Sequence, residues 1–331
     1  MKAITLHSYG PPELLQLEDC EQPSPDANEV LVRTCAASVN DWDWSMITGK
    51  PFFIRLLSGL FRPGIQIPGV DVSGYVEAVG SEVTAFNPGD TVYGDISESG
   101  FGAFAEYVCV KENALTKMPD GMSFNDAAAI PHAVTLAMQG LFDIGSLKPH
   151  HRLLINGAGG GVGTFAAQIA WSIGVRGITG VDHSSKFEVM RISGITECID
   201  YTKTDFTTTD EKYDLILDTR TKRPLSHIMR ALTPTGIYST VGGDLGKILK
   251  IALFAPVIHK FTTKRLKVVA LKANKDMDKI SELYANKIIK PVIDGPYTLS
   301  ELPDAIKHFE AAKHLGKIII TVHEPEKDSK G

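Results

Sequence analysis

Apolar and polar residues alternate at a period of two through much of the first 120 residues, in short runs over 30–39, 74–79, 91–96 and 103–110. That period puts one face of a strand in a core and the other toward water, so these runs predict strands. Turn signals such as Asn87-Pro88-Gly89-Asp90 separate them. The pattern changes at Ser123, a plausible N-cap for a helix over 124–130, with a second helix over 133–144. From Arg152 onward, β-rich runs at 153–155, 178–181, 213–217, 237–241 and 268–271 alternate with helical stretches that include 162–173 and 184–192. Such alternation predicts a doubly wound parallel sheet with helices on both faces, an α/β fold. After Lys290 the pattern turns again, to a strand at 297–299, an amphipathic helix over 302–313 with Ala305, Ile306, Phe309 and Ala312 on one face, and a last strand over 316–322.

The most informative stretch is Leu153-Leu154-Ile155-Asn156-Gly157-Ala158-Gly159-Gly160-Gly161-Val162-Gly163. An apolar strand runs into a glycine-rich turn and a helix follows at once, the context that a dinucleotide fingerprint requires. The glycines let the backbone turn tightly and approach a pyrophosphate. The helix N-terminus supplies free N–H groups and the positive end of its dipole. Gly157, Ala158, Gly160, Gly161, Val162 and Gly163 are therefore candidate cofactor-binding residues. The fingerprint also predicts an acidic residue about 20 positions on, reading the adenosine ribose. Asp182 stands 19 residues after Gly163, at the end of the second strand, and points to NADH. His183, Ser184, Ser185 and Lys186 follow directly and offer partners for a 2′-phosphate.

The 331 residues suggest two domains, and 43% apolar with 22% charged residues is ordinary globular composition. A net charge of −5, with no Lys/Arg cluster that stands out, argues against a nucleic-acid partner. The densest basic stretch, residues 260–267, reads as a solvated turn before a strand. No apolar run is long enough to span a bilayer, so no membrane partner is expected. Four cysteines without a C-x2-C pair do not support structural zinc. Few cysteines and no signal peptide point to a cytoplasmic location. The polar tail over 323–331 is expected to lie outside the core.

The order of a β-rich region, a mid-chain dinucleotide motif and a C-terminal return resembles the medium-chain dehydrogenase/reductase superfamily. Three further stretches carry the resemblance: Phe86-Asn87-Pro88-Gly89-Asp90-Thr91-Val92, Ile67-Pro68-Gly69-Val70-Asp71-Val72-Ser73-Gly74 with Gly80, and Gly316-Lys317. It implies a GroES-like, partly open β-barrel domain over 1–123 with 292–331, and a Rossmann domain over 124–291. Asn40 stands at the place of the catalytic cysteine of the family's zinc alcohol dehydrogenases, Val70 at that of the histidine, Asp71 at that of the glutamate, and the last ligand position falls near Pro131. One carboxylate cannot hold a three-ligand zinc site, so no metal is expected. Val39-Asn40-x-x-Asp43 is similar to a stretch of the zinc-free quinone and enone reductases. Those relatives mostly use NADPH, with a Lys at the place of Lys186 and a Tyr at that of Tyr201. The resemblance thus favours NADPH where Asp182 favours NADH, and NAD(P)H is the expected cofactor. Asp218-Thr219-Arg220 departs from the family's Asp-x-Val-Gly.

Without a metal to polarise an alcohol or aldehyde, hydride transfer to a quinone or an α,β-unsaturated carbonyl remains feasible. Such acceptors spread incoming charge into a conjugated carbonyl, which needs a positioned hydrogen-bond donor. Asn40 and Thr135 are the candidate donors, with Asp43 orienting Asn40. The site is expected near these residues and the Val241-Gly242-Gly243 turn, with Val241, Gly242 and Lys317 on the cofactor. His132 is a further candidate proton donor. Trp42, Trp44, Phe52, Phe53, Phe61 and Phe254 suggest an apolar wall, and residues 51–63 either a lid over a small hydrophobic substrate or ordinary core or dimer contact. A homodimer is expected. An enoyl-thioester reductase and a non-catalytic dinucleotide sensor are the alternatives.

Overall fold

The structure, a computed structural model, describes residues 1–243 and 245–323; most of the polar tail lies outside the described residues. The chain divides into two compact units. One comprises Met1–His132, Ala273–Ala285 and the chain from Ile293 onward; the other comprises Ala133–Lys272 and Asn286–Val292.

In the first unit, the alternating runs become a seven-stranded sheet. Its path is Ile293–Thr298, Lys317–Thr321, Glu29–Ser38, Asp71–Val79, Thr91–Asp95 and Thr116–Lys117, and Tyr107–Lys111 also pairs with Glu29–Ser38. All neighbours are antiparallel except the first pair, which is parallel. Val30, Val32, Val72, Val76, Val92, Ile318 and Ile320 point into one core, as a period of two requires. Helix Leu302–Glu310 covers it with Leu302, Ala305 and Ile306. This helix stops short of the predicted residue 313, because Ala312 takes a left-handed φ of 55°.

The sequence places the domain boundary at 123/124, whereas the compact units meet at 132/133. The reason is burial. Ser123 caps helix Phe124–Ala129 by accepting from Asp126 N at 3.1 Å, and Ala128 and Ala129 of that helix bury against Ala36 and Ile319. Helix Met277–Ala285 is likewise tied to the first unit, through Tyr93 Oη to Ser281 Oγ (2.8 Å) and Tyr284 Oη donating to Asp126 (2.7 Å).

The second unit is a six-stranded parallel sheet. Its order is Glu197–Asp200, Gly177–Asp182, Arg152–Asn156, Tyr213–Asp218, Leu232–Thr240 and Arg265–Val268. Counted along the chain this is 3-2-1-4-5-6, the doubly wound order with its switch point between the first and fourth strands. The last strand forms earlier than the predicted 268–271, because the register pairs Ile237 with Arg265 and Thr240 with Val268.

Candidate functional site

The C-terminal strand of the first unit carries Lys317 into its interior. The ammonium donates to Asn40 Oδ1 at 2.6 Å, Asp71 Oδ2 at 3.2 Å and Val39 O at 3.3 Å, and both the lysine and Asp71 are buried. Asn40 Nδ2 donates to Asp71 Oδ2 (3.0 Å) and to Ser38 O (3.4 Å). Ser38 Oγ donates to the same carboxylate at 2.8 Å, and the backbone N–H of His132 reaches Asp71 Oδ1 at 3.0 Å. Both ends of the Asn40 amide are thus engaged within this network. Asn40, a candidate hydrogen-bond donor from the sequence, is held as part of a scaffold.

Asp43 lies beside this network. Its Oδ2 accepts from Asn40 N (2.8 Å) and its Oδ1 from Gly69 N (3.1 Å), joining the start of helix Asp41–Thr48 to the 67–71 segment. Complete burial pushes Asp43 up to about 7, with the negative charge of Asp71 adding to the shift and Asn40 N, Lys317 and His132 opposing it. The folded state therefore binds a proton that the unfolded chain releases, and stability must fall as pH rises from the ordinary carboxylate range toward 7. Between pH ~5 and ~7 the loss is expected to be about 2 kcal/mol. Urea unfolding across that window checks it; Asp43→Asn should remove most of the slope, and an unchanged slope would overturn the assignment.

His132 Nδ1 faces Asp95 Oδ2 at 2.8 Å, both groups buried. Burial works against the imidazolium, but the hydrogen bond and charge of Asp95, with the charge of Asp71, outweigh it and hold His132 above its ordinary value. Asp95 is held low, since His132 and Ser97 outweigh its burial. The sequence offered His132 as a lone histidine; its partner lies 37 residues away and no spacing rule exposes it.

Of the expected apolar wall, Trp44 packs on the first unit's core, while Phe52, Phe53 and Phe61 are exposed. The segment over 51–63 contains a short helix, Phe53–Ser58, anchored where Tyr9 Oη meets Ser58 Oγ (2.7 Å) and donates to Gly59 O (2.8 Å). Phe254 stands in the second unit, on helix Leu245–Phe261, half-exposed.

In the second unit, strand Arg152–Asn156 ends in the glycine turn and helix Gly161–Ser172 begins at once, with Gly160 at its N-cap and no side chain capping it. The first-turn N–H groups are thereby left for an anion. Gly157 has φ 86°, open to glycine at little cost. Ala158 is buried, and its N–H, like that of Gly157, donates to Val181 O. Asp182 is also buried: Oδ2 accepts from Gly159 N (3.0 Å), Oδ1 accepts from His183 N (2.9 Å), and Lys186 Nζ lies 3.7 Å from Oδ1. The stem of Lys186 lies over Gly159, where an added Cβ would stand 2.7 Å from its Cβ and Cδ. Tyr201 is half-exposed, its ring 6.3 Å from that of His183, and its N–H donates to Asp182 O.

Across the switch point lies a hub that the sequence showed only as a departure from a family pattern. Asp218 Oδ1 accepts from Asn156 Nδ2 (2.8 Å), Arg220 N (2.8 Å) and Thr221 N (2.9 Å), and Oδ2 accepts from Tyr238 Oη (2.8 Å). Thr219 Oγ1 donates to Asn156 O at 3.0 Å, against the glycine turn. Val241 N donates to Asp218 O, and Thr221 and Thr240 donate to Gly242 O, so the 241–243 turn leans on the same loop. Thr135, on helix Pro131–Met138, is buried with no hydrogen-bond partner for its hydroxyl among the described residues.

The family model for an alcohol dehydrogenase GroES-like domain matches residues 26–120, and that for a zinc-binding dehydrogenase matches 193–320. A 2-methylene-furan-3-one reductase of Solanum lycopersicum is 29% identical, over 97% of this chain and 79% of that protein. A chloroplastic quinone-oxidoreductase homolog of Spinacia oleracea is 27% identical, over 97% and 98%. The solved quinone oxidoreductase of Coxiella burnetii superposes with a TM-score of 0.86 at 25% identity, covering 98% of this chain and 99% of that one. The chain belongs to the medium-chain dehydrogenase/reductase superfamily, on its quinone-oxidoreductase-like branch. The zinc that one family description implies does not fit the residues here. Val70 and Pro131 offer no ligand side chain, and the Lys317 ammonium lies directly on the two polar groups that remain, Asn40 and Asp71.

Proposed function

We propose that this chain is an NAD(P)H-dependent oxidoreductase that delivers hydride to a quinone or an α,β-unsaturated carbonyl without zinc. The observation that carries the reading is the pair of Lys317 contacts at 2.6 and 3.2 Å: a fixed ammonium lies on Asn40 and Asp71, the two residues that the family resemblance puts at the places of zinc ligands. When bound, the nicotinamide supplies the hydride. The glycine turn and the uncapped helix behind it hold the pyrophosphate. The Thr135 hydroxyl, buried and without a partner among the described residues, supplies a donor for the oxygen on which charge develops. Asn40, fixed by Lys317, Asp71 and Asp43, acts by positioning. The exposed aromatic residues over 51–63 suit a small hydrophobic acceptor. The test is reduced-cofactor oxidation with a panel of quinones and enones. Saturable, chelator-insensitive turnover is expected; tight cofactor binding with no turnover, or stoichiometric zinc needed for activity, would overturn the reading.

The same reading predicts a narrow cofactor preference. Asp182 carries a charge that a 2′-phosphate would oppose, and Lys186 beside it offsets that repulsion. Both are buried, so solvent screens the pair less than it would at an open strand end. NADH and NADPH should give kcat/KM values within about tenfold of each other. Asp182→Asn keeps an acceptor for Gly159 N and removes the charge, and should move preference toward NADPH by about tenfold or more. Lys186→Met keeps the stem over Gly159 and should weaken NADPH more than NADH. A wild type preferring NADPH a hundredfold, unchanged by Asp182→Asn, would show that Asp182 only supports the turn.

A further inference from the structure

Helix Leu245–Phe261 is apolar on its inner face and carries large apolar residues on its outer face as well. Ile251, Ala255 and Ile258 pack on the core of the second unit. The outer face carries Leu249, Leu253, Val257 and Phe261 at a spacing of four, exposed by 60, 70, 54 and 77%. At 3.6 residues per turn these form one continuous stripe of large apolar side chains. Single exposed apolar residues need no explanation; a helix-long stripe of them does.

The charge along this stretch of the chain, between Asp244 and Asp276, is of one sign. Lys250 and Lys260 are exposed on the same face, and residues 245–275 contain eight Lys or Arg and no Asp or Glu, although the whole chain carries −5. Arg265 and Lys267 also blunt an edge strand, a sufficient reason for those two. Lys250 and Lys260 lie outside that strand. We infer that this face is a docking surface for an anionic lipid bilayer, with the apolar stripe entering the headgroup boundary and the two lysines meeting lipid phosphates.

The chemistry selects that occupant over others. A helix that lies in a membrane interface combines a stripe of Leu and Phe with lysines, and stable attachment needs both signals. The helix has 17 residues, with Lys250 and Pro256 inside it, and among the described residues no helix is long and apolar enough to cross a membrane. A second copy of the chain, docked face to face about a two-fold axis, would set this cationic surface against itself without an acidic partner. Duplex nucleic acid would use the lysines but leave the apolar stripe in water. The inference does not rest on the redox reading.

The experiment is flotation of the full chain with vesicles of phosphatidylcholine alone and of phosphatidylcholine with phosphatidylglycerol, at low and high salt. Binding is expected to the anionic vesicles only, weakening with salt. Lys250→Gln with Lys260→Gln should reduce it on the order of thirtyfold, and Leu253→Glu should abolish it. Both variants change exposed side chains, and circular dichroism with unaltered cofactor binding verifies the fold. Three results would overturn the inference: no flotation with anionic vesicles, flotation unaffected by either variant, or a Leu253→Glu variant whose only effect in size-exclusion chromatography is to split an oligomer. Binding to a duplex oligonucleotide that survives Leu253→Glu, with no vesicle binding, would overturn it equally.

Discussion

Lys317→Met is expected to lower the stability of the protein by about 3–5 kcal/mol. The ammonium is the cation in contact with the Asp71 carboxylate, at 3.2 Å, with both side chains buried. Met fills a similar volume, so a cavity is not the cause of the loss. What remains after the substitution is a carboxylate in a low-dielectric interior, with Ser38, Asn40 and the His132 N–H still donating but no neighbouring ammonium. Asn40 Oδ1 and Val39 O lose their donor as well. Breaking a buried pair by removing one partner is costly, whereas replacing both is often nearly neutral. Asp71→Asn in the Lys317→Met background should therefore recover at least about half of the loss, and Asp71→Asn alone should be destabilising. Urea midpoints at constant slope for the four proteins give the coupling directly. Two single variants that each cost under about 1 kcal/mol and simply add would show that the pair does not hold this interior together. On the proposed function the double variant should also lower kcat more than its recovered stability accounts for, because the Asn40 carboxamide loses the ammonium that orients it.

Much of this architecture is written locally. The strand-turn-helix around 153–163 needs only neighbouring residues: an apolar run, glycines at the turn and a helix former after it, and the observed elements fall within two residues of those positions. The alternating runs of the first unit are legible for the same reason. The first unit's polar network is not. Lys317 and Asn40 are 277 positions apart, and Gly316-Lys317 carries no local sign of its partner; the family resemblance assigned that lysine to the cofactor, while its side chain turns to Asn40 and Asp71. Asp218 is similar: the sequence marked it as unusual, but its four donors come from three separate segments. Helix Leu245–Phe261 escaped for a different reason. Its apolar residues lie on both faces, so the period of 3.6 blurs, and Pro256 inside it reads as a break.

Gly163→Val is expected to reduce cofactor affinity at least a hundredfold, about 2.7 kcal/mol or more. A Cβ at Gly163 would stand 2.4 Å from Gly157 O and 2.6 Å from Ala158 Cα. Both are backbone atoms of the turn, so no side-chain rotation relieves the clash. Helix Gly161–Ser172 must move away from strand Arg152–Asn156, and its first-turn N–H groups move with it, out of the place where they would meet a pyrophosphate. Gly159→Ala is the milder companion. Its Cβ meets the flexible stem of Lys186 at 2.7 Å and the Asp182 carboxylate at 3.3 Å, so the fold can survive by displacing Lys186, with NADPH expected to suffer more than NADH. Gly177→Ala is the control. Its nearest neighbours are 3.8 and 3.9 Å from the added carbon, an ordinary contact, and affinity should not change. Titration calorimetry with both reduced cofactors separates the three, alongside circular dichroism to confirm folding. A folded Gly163→Val protein with wild-type affinity would mean that the dinucleotide binds somewhere other than the turn, and the assignment of Gly157, Ala158, Gly160, Gly161, Val162 and Gly163 to the cofactor would fall with it.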